Sequence, residues 1–362
     1  MLRRLAGFVR VVVGAVSLSV LCASFGLAQV QSGPAIPNGS PVTFQLIAQA
    51  PQGVSHDSVR IRRFLDHGAQ LVQVREQLRV QADGTSDPAF KLEFLDVVSG
   101  SSSTGTARTL WSEVYRKHAG LLHLHGGFRV RNAALAQQNY QLFDFGAGQR
   151  LGRAVRRVVV YPNAQDKAIW LVDLDVETGV ALYCGEYDSR LQLISELETT
   201  TFTWNGPVIE LGPRSAGKPA WSWRPKMQVN RFQDFARAAA QFVTAPVQPA
   251  VGAIVGDYSQ NLVQITEDPV NGDRTLVLGY SDGVDEFFVL QTQGSDNPFL
   301  NSPAVRNVNA TQAHAIASYD DASMRAYIFH EAGTTYWVVG SGSLSRLRDV
   351  SMRVCRQAVT GI

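Results

Sequence analysis

The sequence predicts an α+β protein dominated by antiparallel β-structure, built as a first meander with covering helices and a smaller β-rich domain capped by a C-terminal helix. Three observations predict it. Between Asn139 and Phe202, runs rich in β-branched and aromatic residues (Val158–Tyr161, Ile169–Leu174, Val180–Cys184) are punctuated by turns at Gly146–Gly148, Pro162–Asp166, Glu177–Gly179 and Tyr187–Arg190. Those runs are too short for helices and spaced as hairpin strands are. Thr201–Pro225 then breaks the pattern with Gly206-Pro207, Gly212-Pro213, Gly217–Pro219 and the tryptophans Trp204, Trp221 and Trp223, a boundary composition. Beyond it, apolar runs return and end in a helical stripe.

The chain opens with the composition of an export signal. Arg3, Arg4 and Arg10 form a basic segment, Val11–Leu21 an apolar one, and Gly26-Leu27-Ala28 a small-residue cleavage site before Gln29. Cys22 is a poor lipidation site because Leu21 precedes it. Removing residues 1–28 takes away three arginines and no acids, so the formal charge falls from +2 to −1. A near-neutral chain without a basic block argues against nucleic acid as a partner. Roughly 330 remaining residues are enough for two cores. The predicted organisation is a signal peptide at 1–28, a Gly/Pro/Asn/Ser linker within 29–50, a first domain at 51–203, a linker and helix at 204–250, and a second domain at 251–362.

Within the first domain, Ala69–Ala82 and Phe90–Val98 alternate apolar with polar residues, as half-buried strands do, and Asp83-Gly84 starts the turn between them. Ser99–Gly105 is a Ser/Gly loop. Thr106–His118 carries a helical stripe through Leu110, Trp111, Val114 and Tyr115, and Leu121–Val130 is a further strand. Asp175–Gly179 and Asp188–Arg190 close hairpins. Gln228–Val243 has Phe232, Phe235, Ala239 and Phe242 on one helical face. Strands follow at Leu262–Ile265, Thr275–Tyr280, Glu286–Gln291, Gln312–Tyr319, Met324–Glu331 and Thr334–Gly340, and Ser345–Val359 is the closing helix with Leu347, Val350 and Val354 inward.

Several constellations look chemical. Asp173-Leu174-Asp175 with Thr178 has the beginnings of a phosphatase loop, but the threonine falls one residue late and the same residues make a hairpin turn. His123 and His125 share a strand face with His118 nearby, yet no acidic or cysteine ligand stands at metal-site spacing, so no metal is expected. No nucleophile elbow, phosphate-binding glycine loop or zinc-protease helix is present, and neither an enzyme nor a cofactor is predicted. Cys184 and Cys355 are left after the signal segment. In an oxidising compartment they form either a possible disulfide between the domains or two buried thiols.

One arrangement of residues is familiar. Gly152-Arg153 entering a strand, Pro162 in a turn, Trp170-Leu171 with Asp173 ending a strand, the Thr178-Gly179 hairpin, Leu182 and the terminal Phe202 resemble the RseB/MucB family of periplasmic sigma-factor regulators. Tyr280-Ser281-Asp282-Gly283 and Tyr336-Trp337-Val338-Val339-Gly340 extend the resemblance into the second domain. Val251–Tyr258 departs from it, lacking a Leu-Pro-Pro-Gly-Phe type opening.

The resemblance implies a LolA-like half-open antiparallel β-barrel in the first domain and a periplasmic location. It implies binding to the periplasmic part of a membrane anti-sigma factor, with lipid, lipoprotein or other acylated ligands relieving the regulation. The alternative it leaves is a lipid or lipoprotein carrier of the LolA type. Tyr140 and Tyr161 are aromatics of the pocket or of the core. From strand alternation, the cavity-lining candidates are Phe143, Phe145, Val158, Val160, Trp170 and Val172.

Overall fold

Among the described residues, two antiparallel sheets of eight strands each carry nearly all the regular structure. The computed structural model describes residues 36, 41–66, 70–82, 84, 88–99, 108–109, 111–112, 115, 127–165, 167–204, 228–248, 257–267, 274–293, 305–307, 317–321, 324–331, 334–340 and 347–354. The signal segment, the loop at 100–105, the three histidines His118, His123 and His125, Cys22, Cys355 and the boundary residues 205–227 lie outside them. No helix of the described residues is long and apolar enough to cross a membrane.

The first sheet comprises β1 (His56–Asp66), β2 (Gln70–Gln81), β3 (Ala89–Ser99), β4 (Tyr140–Arg150), β5 (Arg153–Pro162), β6 (Ile169–Asp175), β7 (Ala181–Tyr187) and β8 (Leu193–Trp204). Their order, β3-β2-β1-β8-β7-β6-β5-β4, joins two meanders through the pairing of β1 with β8 and leaves β3 and β4 as edges. The sheet is therefore open, as the half-open prediction requires.

The second sheet has the same plan. Its strands are β9 (Gln228–Arg231), β10 (Ser259–Glu267), β11 (Arg274–Ser281), β12 (Glu286–Gln293), β13 (Val305–Asn307), β14 (Ala317–Asp321), β15 (Met324–Glu331) and β16 (Thr334–Gly340). Two meanders meet where β12 pairs with β16.

Four expectations change. Gly146–Gly148 is not a turn. Asp144 Oδ1 accepts from Gly146 N at 2.8 Å, and Gly146 takes φ +88°, so the chain absorbs one extra residue as a bulge and β4 continues to Arg150. The reversal comes at Leu151-Gly152, with φ of 55° and 72°. The helix expected over Gln228–Val243 is instead β9, paired to β10, followed by the short helix α3 (Phe235–Ala239). Asp234 sets its start by accepting from Arg237 N at 2.9 Å. Phe232, Phe235 and Phe242 nevertheless pack on the second core. In the predicted strand Leu121–Val130, residues 128–130 are non-repetitive and 121–126 lie outside the described residues. Finally, β1 was not anticipated, because four of the residues it buries, His56, Ser58, Arg60 and Arg62, are polar, with Phe64 the one apolar residue beside them.

Short helices cover the first sheet. Helix α1 (Phe44–Gln49) starts at Thr43, whose Oγ1 accepts from Leu46 N at 3.2 Å. Helix α2 (Ala133–Asn139) starts at Asn132, whose Oδ1 accepts from Leu135 N at 3.1 Å. Residues 108, 109, 111, 112 and 115 are helical, and Trp111 and Tyr115 are buried. Residues 347–354 form helix α4, whose Leu347, Val350 and Val354 enter the second core as predicted.

A buried polar joint connects the sheets. The loop Ser281-Asp282-Gly283 between β11 and β12 docks beside α2 and the start of β4. There Lys167 Nζ bonds Asp282 and pairs with Asp257, Tyr140 Oη donates to Asp282 Oδ2 at 2.8 Å, and Asn139 Nδ2 donates to the carbonyls of Asp257 and Asp282 at 3.1 and 2.9 Å. Arg131 adds a bond from Nε to Glu286 Oε2 at 2.5 Å and one from Nη1 to the Val284 carbonyl at 2.6 Å. Gly283 has φ +106°, and a Cβ there would overlap the backbone of Ala136, so only glycine fits.

Candidate functional site

The inner face of the first sheet can be followed strand by strand from its register. One row runs Val160–Trp170–Glu186–Ser195–Phe64–Val72, and the next Val158–Val172–Cys184–Leu197–Arg62–Val74. Of the expected cavity residues, Val158, Val160, Trp170 and Val172 share this face and are at most 4% exposed. Phe143 and Phe145 do not join them. Phe143 pairs with Val159 and so points to the opposite face, while Phe145 sits in the bulge at 40% exposure. Leu142, opposite Val160, takes the inward place.

The apolar end of this face is occupied by the chain itself. Ile36, Val42, Phe44 and Ile47 form one cluster with Val158, Val160, Trp170, Val172 and Leu174, and Ile36 N is tied to the Val176 carbonyl at 2.8 Å. Cys184 belongs to this cluster as a free, buried thiol, and burial pushes its pKa up. A second cluster, at the β1–β3 end, gathers Phe64, Val72, Val74, Leu78, Val80, Leu92, Trp111 and Tyr115, with Val339, Leu290 and Trp337 of the second sheet against it.

Between the clusters lies a buried charged band. Glu76 is fully buried and receives Arg62 through Nε and Nη2 at 3.2 Å each, the hydroxyl of Tyr115, and an ion pair from Arg60. Burial alone would raise the Glu76 pKa, but the Arg60 and Arg62 guanidinium groups outweigh it and lower it to about 2. Burial and then the Glu76 charge push the Tyr115 hydroxyl well above the phenol range. Arg60 touches Glu76 off the line that a hydrogen bond needs, so among the described residues its Nε and Nη2 have no hydrogen-bond partner. His56, on the same face, is lowered to about 4, chiefly by burial and further by Arg60, against the raising effect of the Val54 carbonyl.

Glu186 completes the band. It is 4% exposed, and its Oε2 accepts from Ser195 Oγ at 2.7 Å. Among the described residues its Oε1 has no partner, nor does Nε1 of Trp170, the neighbouring position on β6. Trp170 leans on Phe128 at 5.7 Å between ring centres. Reading the sequence for apolar alternation passed over Arg60, Arg62, Glu76 and Glu186. The signal was the same period of two, carried by charges.

The outer face is a lattice of ion pairs. Arg63 bonds Glu196 and Glu198 at 2.5 and 2.8 Å, Arg150 reaches Asp173 and Glu198, and Arg157 grips Asp173 at 2.8 and 3.1 Å. Asp175 accepts from Thr178 N and Oγ1 at 2.9 and 2.7 Å and from Arg153 at 2.7 and 3.0 Å. Arg153 in turn lies over the Phe202 ring at 5.4 Å. Asp173, Asp175 and Thr178 thus brace a hairpin and a sheet face. Among the described residues no group of three or more His, Cys, Asp and Glu side chains is placed to hold a metal.

No protein-family model and no curated protein sequence matches the chain. Solved structures do. The chain is similar in fold to MucB. Against MucB in complex with MucA(peri) the identity is 13% and the TM-score 0.46, covering 85% of this chain and 96% of that one. Against MucB of the Pseudomonas aeruginosa MucA/MucB complex, the values are 14% and 0.45, with 85% and 95% covered. MucB alone gives 15% and 0.44, with 85% and 94% covered.

Proposed function

We propose that this protein is a non-enzymatic periplasmic binding protein, exported by residues 1–28, that regulates an envelope-stress sigma factor. It does so by holding the periplasmic part of a membrane anti-sigma factor; MucB, to which the chain is similar in fold, is known in complex with MucA(peri). Acyl-chain ligands enter the inner face of the first sheet and weaken that hold. In this reading residues 51–203 and 251–362 act as two domains.

The observation that carries the reading is the buried joint at Ser281-Asp282-Gly283. That loop belongs to the second-half segment resembling the regulators, and it is bonded to Lys167, Tyr140 and Asn139 of the first half. A second sheet bound in this way belongs to the working unit, whereas a simple carrier needs only the first. Regulation follows if acyl ligand and anti-sigma factor favour different arrangements of the inner face, one closed by α1 and one opened. Burial of each methylene there contributes about 0.8 kcal/mol to binding.

In-cell crosslinking and pull-down of the mature protein, with mass spectrometry of proteins and lipids, tests this. The expected result is recovery of a single-span membrane protein with a cytoplasmic sigma-binding domain. Recovery of lipids or lipoproteins without such a partner would replace the regulator reading with the carrier one.

A further inference from the structure

Trp170 and Glu186, cross-strand neighbours on β6 and β7, each carry a buried polar atom without a partner among the described residues, one a donor and one an acceptor. Trp170 Nε1 can only donate and the open oxygen of Glu186 accepts, and both residues are 4% exposed. Buried polar atoms without partners are rare in folded chains, because leaving one so forfeits its hydration without a replacement bond. Ser195 satisfies one oxygen of Glu186, and among the described residues no cation pairs with the carboxylate. The neighbours on the same face are apolar: Val160, Val172, Phe128 and Leu142 flank Trp170 in one cluster.

We infer that Trp170 and Glu186 form a hook for a secondary amide, so that the acyl ligand of this face is an N-acyl one whose amide is read by these two side chains. The inference rests on the acyl-ligand part of the proposed function and names the linkage. An ammonium group would satisfy Glu186 and offer Trp170 nothing. A carboxylate would satisfy Trp170 and repel Glu186, and an ester lacks the N–H. A trans secondary amide carries its N–H and C=O on opposite sides, so a single group lying between the two residues meets both needs. The alkyl chain then runs into the cluster that Phe44 and Ile47 now fill, and these residues must withdraw to admit it.

The test compares two probes below their micelle concentrations, N-dodecanoylglycine and N-dodecanoylsarcosine, by calorimetric titration of the mature protein. They share chain, carbonyl and carboxylate, and the second carries N–CH3 where the first carries N–H. The glycine form is expected to bind about tenfold tighter or more, the effect of one hydrogen bond to a buried charge. Glu186→Leu should bring the ratio to about one, while Trp170→Phe should weaken both probes alike and leave the ratio standing. Equal affinities in the wild-type protein overturn the hook and leave acyl binding intact. Absence of binding by either probe overturns the hook together with the acyl-ligand reading. The wild-type ratio decides the matter even if a variant fails to fold.

Discussion

Lys167 and Asp282 meet with neither side chain reaching solvent, one from the first sheet's turn region and one from the second sheet's loop. Asp257 and the rings of Tyr140 and Tyr258, at 5.2 and 5.0 Å, complete the surroundings of the ammonium group. A buried pair of this kind adds little over an apolar contact of the same shape, but removing one partner strands the other.

Lys167→Met should therefore cost about 3–5 kcal/mol, because it leaves Asp282 charged and buried. Calorimetry should show a broadened or split transition as the sheets lose their joint. Adding Asp282→Asn should recover part of the loss. An unchanged single transition would mean that the joint does not couple the sheets.

Gly179→Ala tests the hairpin against the helical cover. Gly179 has φ +69°, which costs alanine about 1–2 kcal/mol, and the added methyl would overlap Ala50. The variant should lose more than about 2 kcal/mol in urea unfolding, and Ala50→Gly should be less harmful in its presence than alone. Additive losses would show that the two positions do not touch.

His56 predicts a dependence on mild acid. Its folded pKa, about 4, lies below the ordinary 6.5, so the fold prefers the neutral ring. Its contribution is complete above pH 6.5 and is lost as pH falls toward 4, about 3 kcal/mol in all. His56→Phe, which keeps a ring against Phe202, should flatten stability across that window.

Glu76 acts lower on the scale. Its pKa is lowered from 4.5 to about 2, so its contribution is present above pH 4.5 and disappears as pH falls through 2. Glu76→Gln at neutral pH should cost about 3–5 kcal/mol by leaving Arg62 buried without its carboxylate. It should also remove the steepest part of the acid-unfolding curve.

Legibility followed the apolar pattern. Strands β5 to β7, β10 to β12, β15 and β16 were readable because their buried positions are Val, Leu, Ile and aromatic residues in short runs. Strand β1 was not, because it turns His56, Ser58, Arg60 and Arg62 inward, and these look like solvent positions until Glu76 supplies the counter-charge. Alternation along β5 and β6 put Val158, Val160, Trp170 and Val172 on one face, where the register also has them. Phe143 and Phe145 were misplaced because one bulge at Gly146 shifts the frame of β4. The joint could not be read at all, since Lys167 and Asp282 stand 115 positions apart and each alone looks like a surface charge.

The pairing of β1 with β8 also sets an order of events. Val59 and Thr201 are bonded across 142 positions, so the middle of the first sheet forms only after both meanders exist. Strands β1 to β3 emerge first and must wait with an open flank and half-satisfied arginines until residue 204 has arrived. Refolding should accordingly be slow for the chain's size, limited by that one long closure. The waiting hairpins are the species most exposed to off-pathway association, and the one a holding chaperone would serve best.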